Sequence, residues 1–185
     1  MLKTEDQTGR ELISQAIYRN GLNLPRIVKC VDMLTEEELW KHPNGSSNSI
    51  GNLILHLNGN ITQYIISALG SSPDLRERDL EFSSDRVLDA PGLKELITSA
   101  THTAASVLEK LDNTQLNYTY EVQGHVMSGI AIIFHVSEHY SYHTGQIVFL
   151  TKLLKDVDTG FYNGMDLNKK NSPTYIFFLR LNGTY

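Results

Sequence analysis

Apolar residues recur every three or four positions along four long stretches of the chain, which is the spacing of amphipathic α-helices. These stretches cover about residues 8–34, 48–69, 90–111 and 127–155. Gly21 and Pro25 interrupt the first stretch, so either a kink or two abutting helices is expected there. Four such helices in a chain of 185 residues predict an all-α, up-down four-helix bundle.

Local signals mark where several helices begin. Thr35 followed by Glu38 has the spacing of a capping box, which predicts a short helix after the first long one. Asp89 and Pro91 are typical of the cap and first turn of the third long helix. Between the second and third long helices lies a charged stretch, PDLRERDLEFSSD, which we interpret as a connection.

The segment before the last helix and the end of the chain do not fit the helical pattern. Residues 118–125 alternate weakly and contain Gln123 and Gly124, so a short hairpin or a loop is expected. Residues 1–171 are expected to form a single bundle domain. Residues 172–185 form a tail that ends in the apolar, β-prone sequence TYIFFLRLNGTY. Two placements stay open for this tail: it packs as a strand either on the bundle or on a partner chain.

Composition narrows the functional classes. The hydrophobic and charged fractions, 41% and 20%, are ordinary for a soluble globular protein. The net charge of −5 argues against a nucleic-acid binder and against docking on an anionic membrane. No transmembrane run or secretory signal is expected, and Cys30 as the single cysteine excludes an internal disulfide and multi-cysteine zinc sites. A reducing cytoplasm is the simplest location.

Three of the seven histidines lie four residues apart on the last helix, at His135, His139 and His143. A step of four moves only about 40° around a helix, so the three rings share one face. That face also carries Val136 and Ile147, so it is expected to be buried, where an unpartnered imidazole is costly. A pair at this spacing is a common way for one helix to give two imidazoles to one metal.

The second long helix offers a third ligand, His56, in the otherwise apolar stretch GNLILHLNGNI. Asn52, Asn60 and Gln63 extend a polar stripe along the same helix, and Gln146 follows His143 by one turn. We interpret these four residues as the walls of a cavity that binds a substrate or cofactor. Three imidazoles leave one position of a tetrahedral metal open, the arrangement of catalytic rather than structural zinc.

The histidines are also compatible with roles other than this three-ligand site. A single core histidine is usually satisfied by a hydroxyl or carbonyl group, and the hydroxyl of Tyr140 or Tyr142 is a candidate partner. His135, Glu138 and His139 also spell H-x-x-E-H, the signature of inverted zinc proteases, in which glutamate is the general base. His135 itself is either a group that supports a ligand or simple packing.

The histidine helix, HVSEHYSYHTGQIVFL, resembles the closing signature of the DinB-like (DinB/YfiT) proteins. The resemblance extends to about Asn171 through the stretches NSIGNLILHLNGNI and GFYNGMDLNKK. These stretches are most similar to one bacterial subgroup of the superfamily, whose members are expected to be metal-dependent enzymes. The resemblance implies a four-helix bundle in which His56, His139 and His143 bind zinc or nickel. It also implies a homodimer, which the apolar tail favours as well.

The same resemblance implies an activity. Some relatives transfer low-molecular-weight thiols such as bacillithiol or mycothiol or isomerise maleylpyruvate with such a thiol, and others were named metal-dependent hydrolases. Many relatives have arginine where this chain has Thr144, so a role for a basic group there is not expected. We therefore predict a metal-dependent thiol S-transferase or hydrolase acting on a small molecule. A non-catalytic metal or small-ligand binder is the first alternative, and a bundle with purely structural histidines is the second.

Overall fold

The computed structural model describes residues 4–171. Its long helices are α1 (Thr4–Asp32), α3 (Ile50–Ile61, continued by a π-helix at Thr62–Leu69), α5 (Ala90–Leu108) and α7 (Gly129–Lys155). Its short elements are α2 (Glu36–Leu39), α4 (Arg78–Ser83), α6 (Asn113–Asn117) and the strands β1 (Thr119–Val122) and β2 (His125–Ser128). The predicted all-α four-helix bundle is confirmed, whereas the tail at 172–185 lies outside the described residues.

The helix starts follow the sequence signals. The Thr35 side chain accepts a hydrogen bond from the Glu38 backbone, and Glu38 Oε2 accepts one from the Thr35 N–H at 2.8 Å, so the capping box before α2 is confirmed. Asp89 caps α5 by accepting from the Gly92 N–H at 2.8 Å. α1 runs without a break through Gly21 and Pro25, so it is one helix of 29 residues and not two abutting ones.

The contacts at the helix ends fix the direction of each helix. α1 packs on α5 and α7, and α3 packs on the same two helices. The N-terminal parts of α1 and α7 both lie against α6, at Gly9 and Gly129. Trp40 packs on Gly51 near the start of α3, and its Nε1 donates to Leu88 O just before α5. Thus α1 and α7 run in one direction and α3 and α5 in the other. The order along the chain is up, down, down, up and not the strict alternation of a simple up-down bundle, because the connection at 70–89 returns along the bundle before α5 begins.

A two-residue turn joins β1 and β2 into an antiparallel hairpin. Gln123 and Gly124 have φ values of 51° and 75°, the left-handed conformations that a type I′ turn requires. Val122 pairs with His125 beside the turn. The expected short hairpin before the last helix is therefore confirmed, and the Tyr64 hydroxyl donates to Gln123 Oε1 at 2.8 Å and fastens it to the bundle.

The core fills the space between the four long helices. Its largest fully buried side chains come from α1, α2, α3, the π-helical turns, α5 and α7: Ile27, Leu39, Ile50, Ile54, Leu57, Ile61, Tyr64, Ile65, Leu93, Ile97, Leu108 and Tyr140. Several polar side chains are buried in this core, among them Asn20 on α1 and Thr101 on α5. A group of them, which includes His56, lies where α3 meets α7 and α4. Within residues 4–171, no helix is long and apolar enough to cross a bilayer.

Candidate metal centre

His56, His139 and His143 converge between α3 and α7. One ring nitrogen from each lies within 4.8 Å of one from each of the others. The Nε2 atoms of His56 and His139 are 2.9 Å apart, and the ring centroids of His139 and His143 are 4.4 Å apart. The structure therefore brings together the three histidines that the sequence predicts as ligands.

The packing of α3 on α7 explains this convergence. His139 and His143 are one turn apart on α7, and His56 faces both from the middle of α3. His56 and His143 are only 5% and 8% exposed, whereas His139 is half-buried. The ring of Phe82 packs on His56 with a centroid separation of 4.7 Å and shields its other side from water.

Two of the rings have their Nδ1 atoms occupied by side chains of the protein. His56 Nδ1 lies 2.8 Å from Glu81 Oε2, and His143 Nδ1 lies 2.7 Å from Gln146 Oε1. We assign Nδ1 as the hydrogen-bond donor in both cases, because a carboxylate and an amide oxygen can only accept. Each Nε2 then has a free lone pair, which is the pattern found in histidine ligands of metals.

Burial favours the neutral form of these imidazoles. Burial, with the neighbouring His143, His56, His135 and Arg76, lowers the pKa of His139 to about 3. Burial also lowers the pKa of His143, although the hydrogen bond to Gln146 opposes it. Since metals bind the neutral ring, the environment holds both side chains in the form that a ligand needs.

A buried ion pair supports His56 from behind. Arg76 Nε and Nη2 donate to the two oxygens of Glu81 at 2.6 and 2.9 Å, and the two side chains are 3% and 9% exposed. Burial raises the pKa of Glu81, but the hydrogen bonds donated by Arg76 and His56 outweigh it and hold the pKa below its usual value. Both residues lie in the charged stretch that we interpreted only as a connection.

Comparison with known proteins places the chain in a family. Residues 8–162 match the family described as Protein of unknown function (DUF1572). The chain belongs to this DUF1572 family. No curated protein matches the chain.

The DUF1572 bundle is similar to two solved structures of DinB-like proteins. A DinB-like protein from Bacillus cereus is 18% identical and has a TM-score of 0.57, with 72% of this chain and 87% of that chain covered. A DinB-like protein from Bacillus subtilis is 15% identical and has a TM-score of 0.60, with 78% and 94% covered. These similarities confirm the DinB-like fold that the sequence resemblance implies.

Two polar residues of this DUF1572 bundle that were predicted to line a cavity, Asn52 and Gln63, form hydrogen bonds with the connection at 74–84. Asn52 Nδ2 donates to the backbone oxygens of Glu81 and Ser84, and its Oδ1 accepts from Ser49. Gln63 accepts from Arg76 Nη1 and donates to Asp74 Oδ2, both at 2.8 Å. The polar stripe on α3 is thus satisfied by protein groups at these two positions. A ligand-binding role of Asn52 and Gln63 stays a prediction.

Asn60 and His135 form a separate contact beside the three rings. Asn60 Nδ2 lies 3.2 Å from His135 Nε2, while the buried Asn60 Oδ1 has no hydrogen-bond partner among the described residues. His135 stands outside the group of three, and Glu138 is exposed. The described residues therefore do not assemble the H-x-x-E-H arrangement, in which both histidines and the glutamate would face one metal.

Proposed function

We propose that His56, His139 and His143 bind one divalent metal ion, and that the protein is a metal-dependent enzyme acting on a small molecule. The observation that carries this proposal is the approach of one nitrogen from each ring to within 4.8 Å of the others. The partners of Nδ1 on His56 and His143 support it, since they orient the Nε2 atoms towards a shared point. The DinB-like fold is compatible with this role.

The donor set fits zinc or nickel. Neutral imidazoles suit zinc, copper, iron and nickel, whereas magnesium and calcium prefer oxygen ligands. The ring nitrogens are only a few ångströms apart, which is the separation that one tetrahedral ion spans. With three protein ligands, such a site keeps one position for a substrate or a solvent molecule.

The charges around the site favour an anionic fourth ligand. The three histidines bring no negative charge, and the charge of Glu81 is balanced by Arg76 at 2.6 Å. A bound divalent ion lowers the pKa of a thiol or a water molecule that occupies its open position. Both oxygens of Glu81 are already engaged, so this carboxylate is not available as a base for water. We therefore favour transfer of a low-molecular-weight thiol over hydrolysis.

Calorimetric titration of the metal-free protein with zinc, and separately with nickel, tests the metal site. We expect one ion per chain. His139→Ala should abolish this stoichiometric binding while the circular dichroism spectrum stays helical. His102→Ala, which removes an exposed histidine from α5, is the matched control and should bind like the wild type. An His139→Ala protein that keeps its metal would overturn the proposal.

An activity assay separates an enzyme from the non-catalytic alternative. The zinc- and nickel-loaded proteins would be incubated with a panel of thiols and an aromatic chloride electrophile, and thioether formation would be followed. We expect turnover that depends on both metal and thiol and is lost in His139→Ala. Hydrolysis of an activated ester without thiol would favour the hydrolase type. Metal binding without turnover in either assay would favour a metal or small-ligand-binding protein.

A further inference from the structure

We propose that Glu81 and Arg76 are positioning residues of the metal centre, which fix the tautomer and orientation of His56. This inference rests on the proposed function. It assigns a role to the connection between α3 and α5, a segment that carries none of the three histidines. In this arrangement the metal affinity depends on a carboxylate that itself does not reach the metal.

The geometry around His56 leaves the carboxylate little freedom. Glu81 Oε2 lies 2.8 Å from His56 Nδ1 and also accepts from Arg76 Nη2 at 2.9 Å, while Oε1 accepts from Arg76 Nε at 2.6 Å. Arg76 Nη2 also lies 3.2 Å from His56 Nδ1, and we assign its hydrogen to the shorter 2.9 Å bond with Glu81 Oε2. A carboxylate can offer His56 only an acceptor, so the 2.8 Å contact assigns the hydrogen to Nδ1 and the lone pair to Nε2. A charged acceptor behind a histidine also makes its ring a stronger ligand.

The connection is itself anchored at several points on α3. Asn52 Nδ2 donates to the backbone oxygens of Glu81 and Ser84 at 3.0 and 2.8 Å, which fixes the end of α4. Gln63 Oε1 accepts from Arg76 Nη1 at 2.8 Å, which fixes the guanidinium. These bonds are buried or part-buried, so breaking one leaves an unsatisfied polar group away from water. Several independent hydrogen bonds therefore fix the position of Glu81, as expected for a residue that orients a metal ligand.

Gly59 shows how closely α4 approaches α3. A Cβ atom at this position would overlap Glu81 Oε1 and come within 2.9 Å of Arg76 Nε. Glycine in a helix interior is less favourable than alanine. The close approach of the ion pair gives this residue a reason to be glycine. Gly59→Ala thus displaces the carboxylate without removing it.

The first test measures zinc affinity by competition with a chromophoric chelator. Glu81→Gln should bind zinc about 10–100-fold more weakly than the wild type. Asp79→Asn makes the same carboxylate-to-amide change at an exposed position of α4 and should leave the affinity unchanged. Gly59→Ala should weaken binding as well, whereas Gly21→Ala, a change into open space on α1, should not.

The second test uses the metal-free protein and needs no activity. Nitrogen-15 NMR of the imidazole rings reports which nitrogen of His56 carries the hydrogen. We expect the Nδ1–H tautomer in the wild type and in Asp79→Asn. Glu81→Gln and Gly59→Ala should lose this single tautomer, a change that a purely structural role of Glu81 would not produce.

The outcomes separate this inference from the proposed function. If the wild type binds zinc and neither Glu81→Gln nor Gly59→Ala weakens binding or changes the tautomer, the positioning role is overturned. If the wild type binds no metal but the tautomer follows Glu81, the positioning of His56 stands and the metal proposal fails. Should Glu81→Gln not fold, Gly59→Ala decides the question alone.

Discussion

A histidine ligand needs a partner on the nitrogen that faces away from the metal, and Gln146 supplies that partner for His143. The separation of 2.7 Å between His143 Nδ1 and Gln146 Oε1 is that of a strong hydrogen bond. Gln146 lies three residues after His143 on α7, so the two side chains meet on one helix face. The structure thus shows Gln146 in contact with the ring of His143, and its predicted role in ligand binding stays a prediction.

Removing this acceptor should weaken the metal site. We expect Gln146→Leu to bind zinc about 10-fold more weakly, because His143 then loses the bond that fixes its ring. Gln146→Glu keeps an acceptor at the same position and should restore most of the affinity. Competition titration against a chelator measures both variants. Equal affinity of Gln146→Leu and the wild type would show that the ring needs no such support.

At this scale the sequence predicts ligands better than it predicts their supports. His139 and His143 follow from a spacing of four on an apolar face, and His56 follows from a lone polar residue in an apolar stretch. No periodic pattern of apolar residues predicts the burial of Glu81 and Arg76. They contact His56 from a connection whose path depends on tertiary packing. The only local signal is Glu81 between Leu80 and Phe82 in a charged stretch, which does not by itself indicate burial.

Single-turn elements tie the long helices together. α2 has four residues, but its Glu38 accepts from the Thr35 backbone at 2.8 Å and from Lys155 Nζ, at the end of α7, at 3.0 Å. The bond from Thr35, followed by that from Lys155, holds the pKa of Glu38 below its usual value. The ionised carboxylate is thus favoured by folding, so its contribution to stability is present at neutral pH.

The pH dependence of stability should reveal this contact. Glu38→Gln keeps an oxygen for the cap but loses the charge, so we expect the free energy of unfolding to fall by less than about 1 kcal/mol at pH 7. The difference from the wild type should shrink as the pH falls from 4.5 through the lowered pKa of Glu38, because the folded-state carboxylate becomes protonated over that range. Urea unfolding at several pH values measures it. Glu37→Gln, on the same turn but exposed, is the control. A gap that stays constant with pH would show that the charge of Glu38 does not stabilise the fold.

The long elements follow from the sequence, and the irregular ones do not. Helical periodicity and caps locate the four long helices, and Gln123 with Gly124 locates the hairpin. The π-helical turns at Thr62–Leu69 have the same apolar pattern as an α-helix, so the sequence predicts one helix through them. α4 is too short to show a period and is formed by its contacts with α3, which periodicity does not encode.

At the scale of the whole molecule, α7 has several exposed apolar side chains, and we propose this face as the site of a homodimer contact. Phe134, Tyr142, Phe149 and Leu153 are 60–66% exposed on the side of this helix away from the core. Gly145 lies among them, and no described neighbour would come within 4 Å of a Cβ atom there. Exposed Glu138 and Lys152 each lie seven residues from Gly145, so two α7 helices that cross antiparallel at Gly145 bring opposite charges together. The homodimer expected from the sequence is therefore proposed through this face.

Exchanging the charges of Glu138 and Lys152 tests the proposed dimer contact. Light scattering should show a dimer of the 20.9 kDa chain at micromolar concentration. Glu138→Lys should shift it towards monomer, because Lys152 of the second copy then faces a like charge. Adding Lys152→Glu to the same chain should restore the dimer. A monomeric wild type would remove the proposal, and a dimer insensitive to these changes would place the interface elsewhere.

Binding of one metal ion by three imidazoles of one chain is tested most directly by X-ray absorption at the zinc edge of the loaded protein. We predict a coordination sphere with three imidazole nitrogens at about 2.0–2.1 Å and one further ligand. In His139→Ala, the imidazole contribution to the spectrum should decrease, or the whole zinc signal should be lost because the variant no longer binds the ion. A coordination sphere made of oxygen atoms, or a wild-type spectrum unchanged by His139→Ala, would contradict the account.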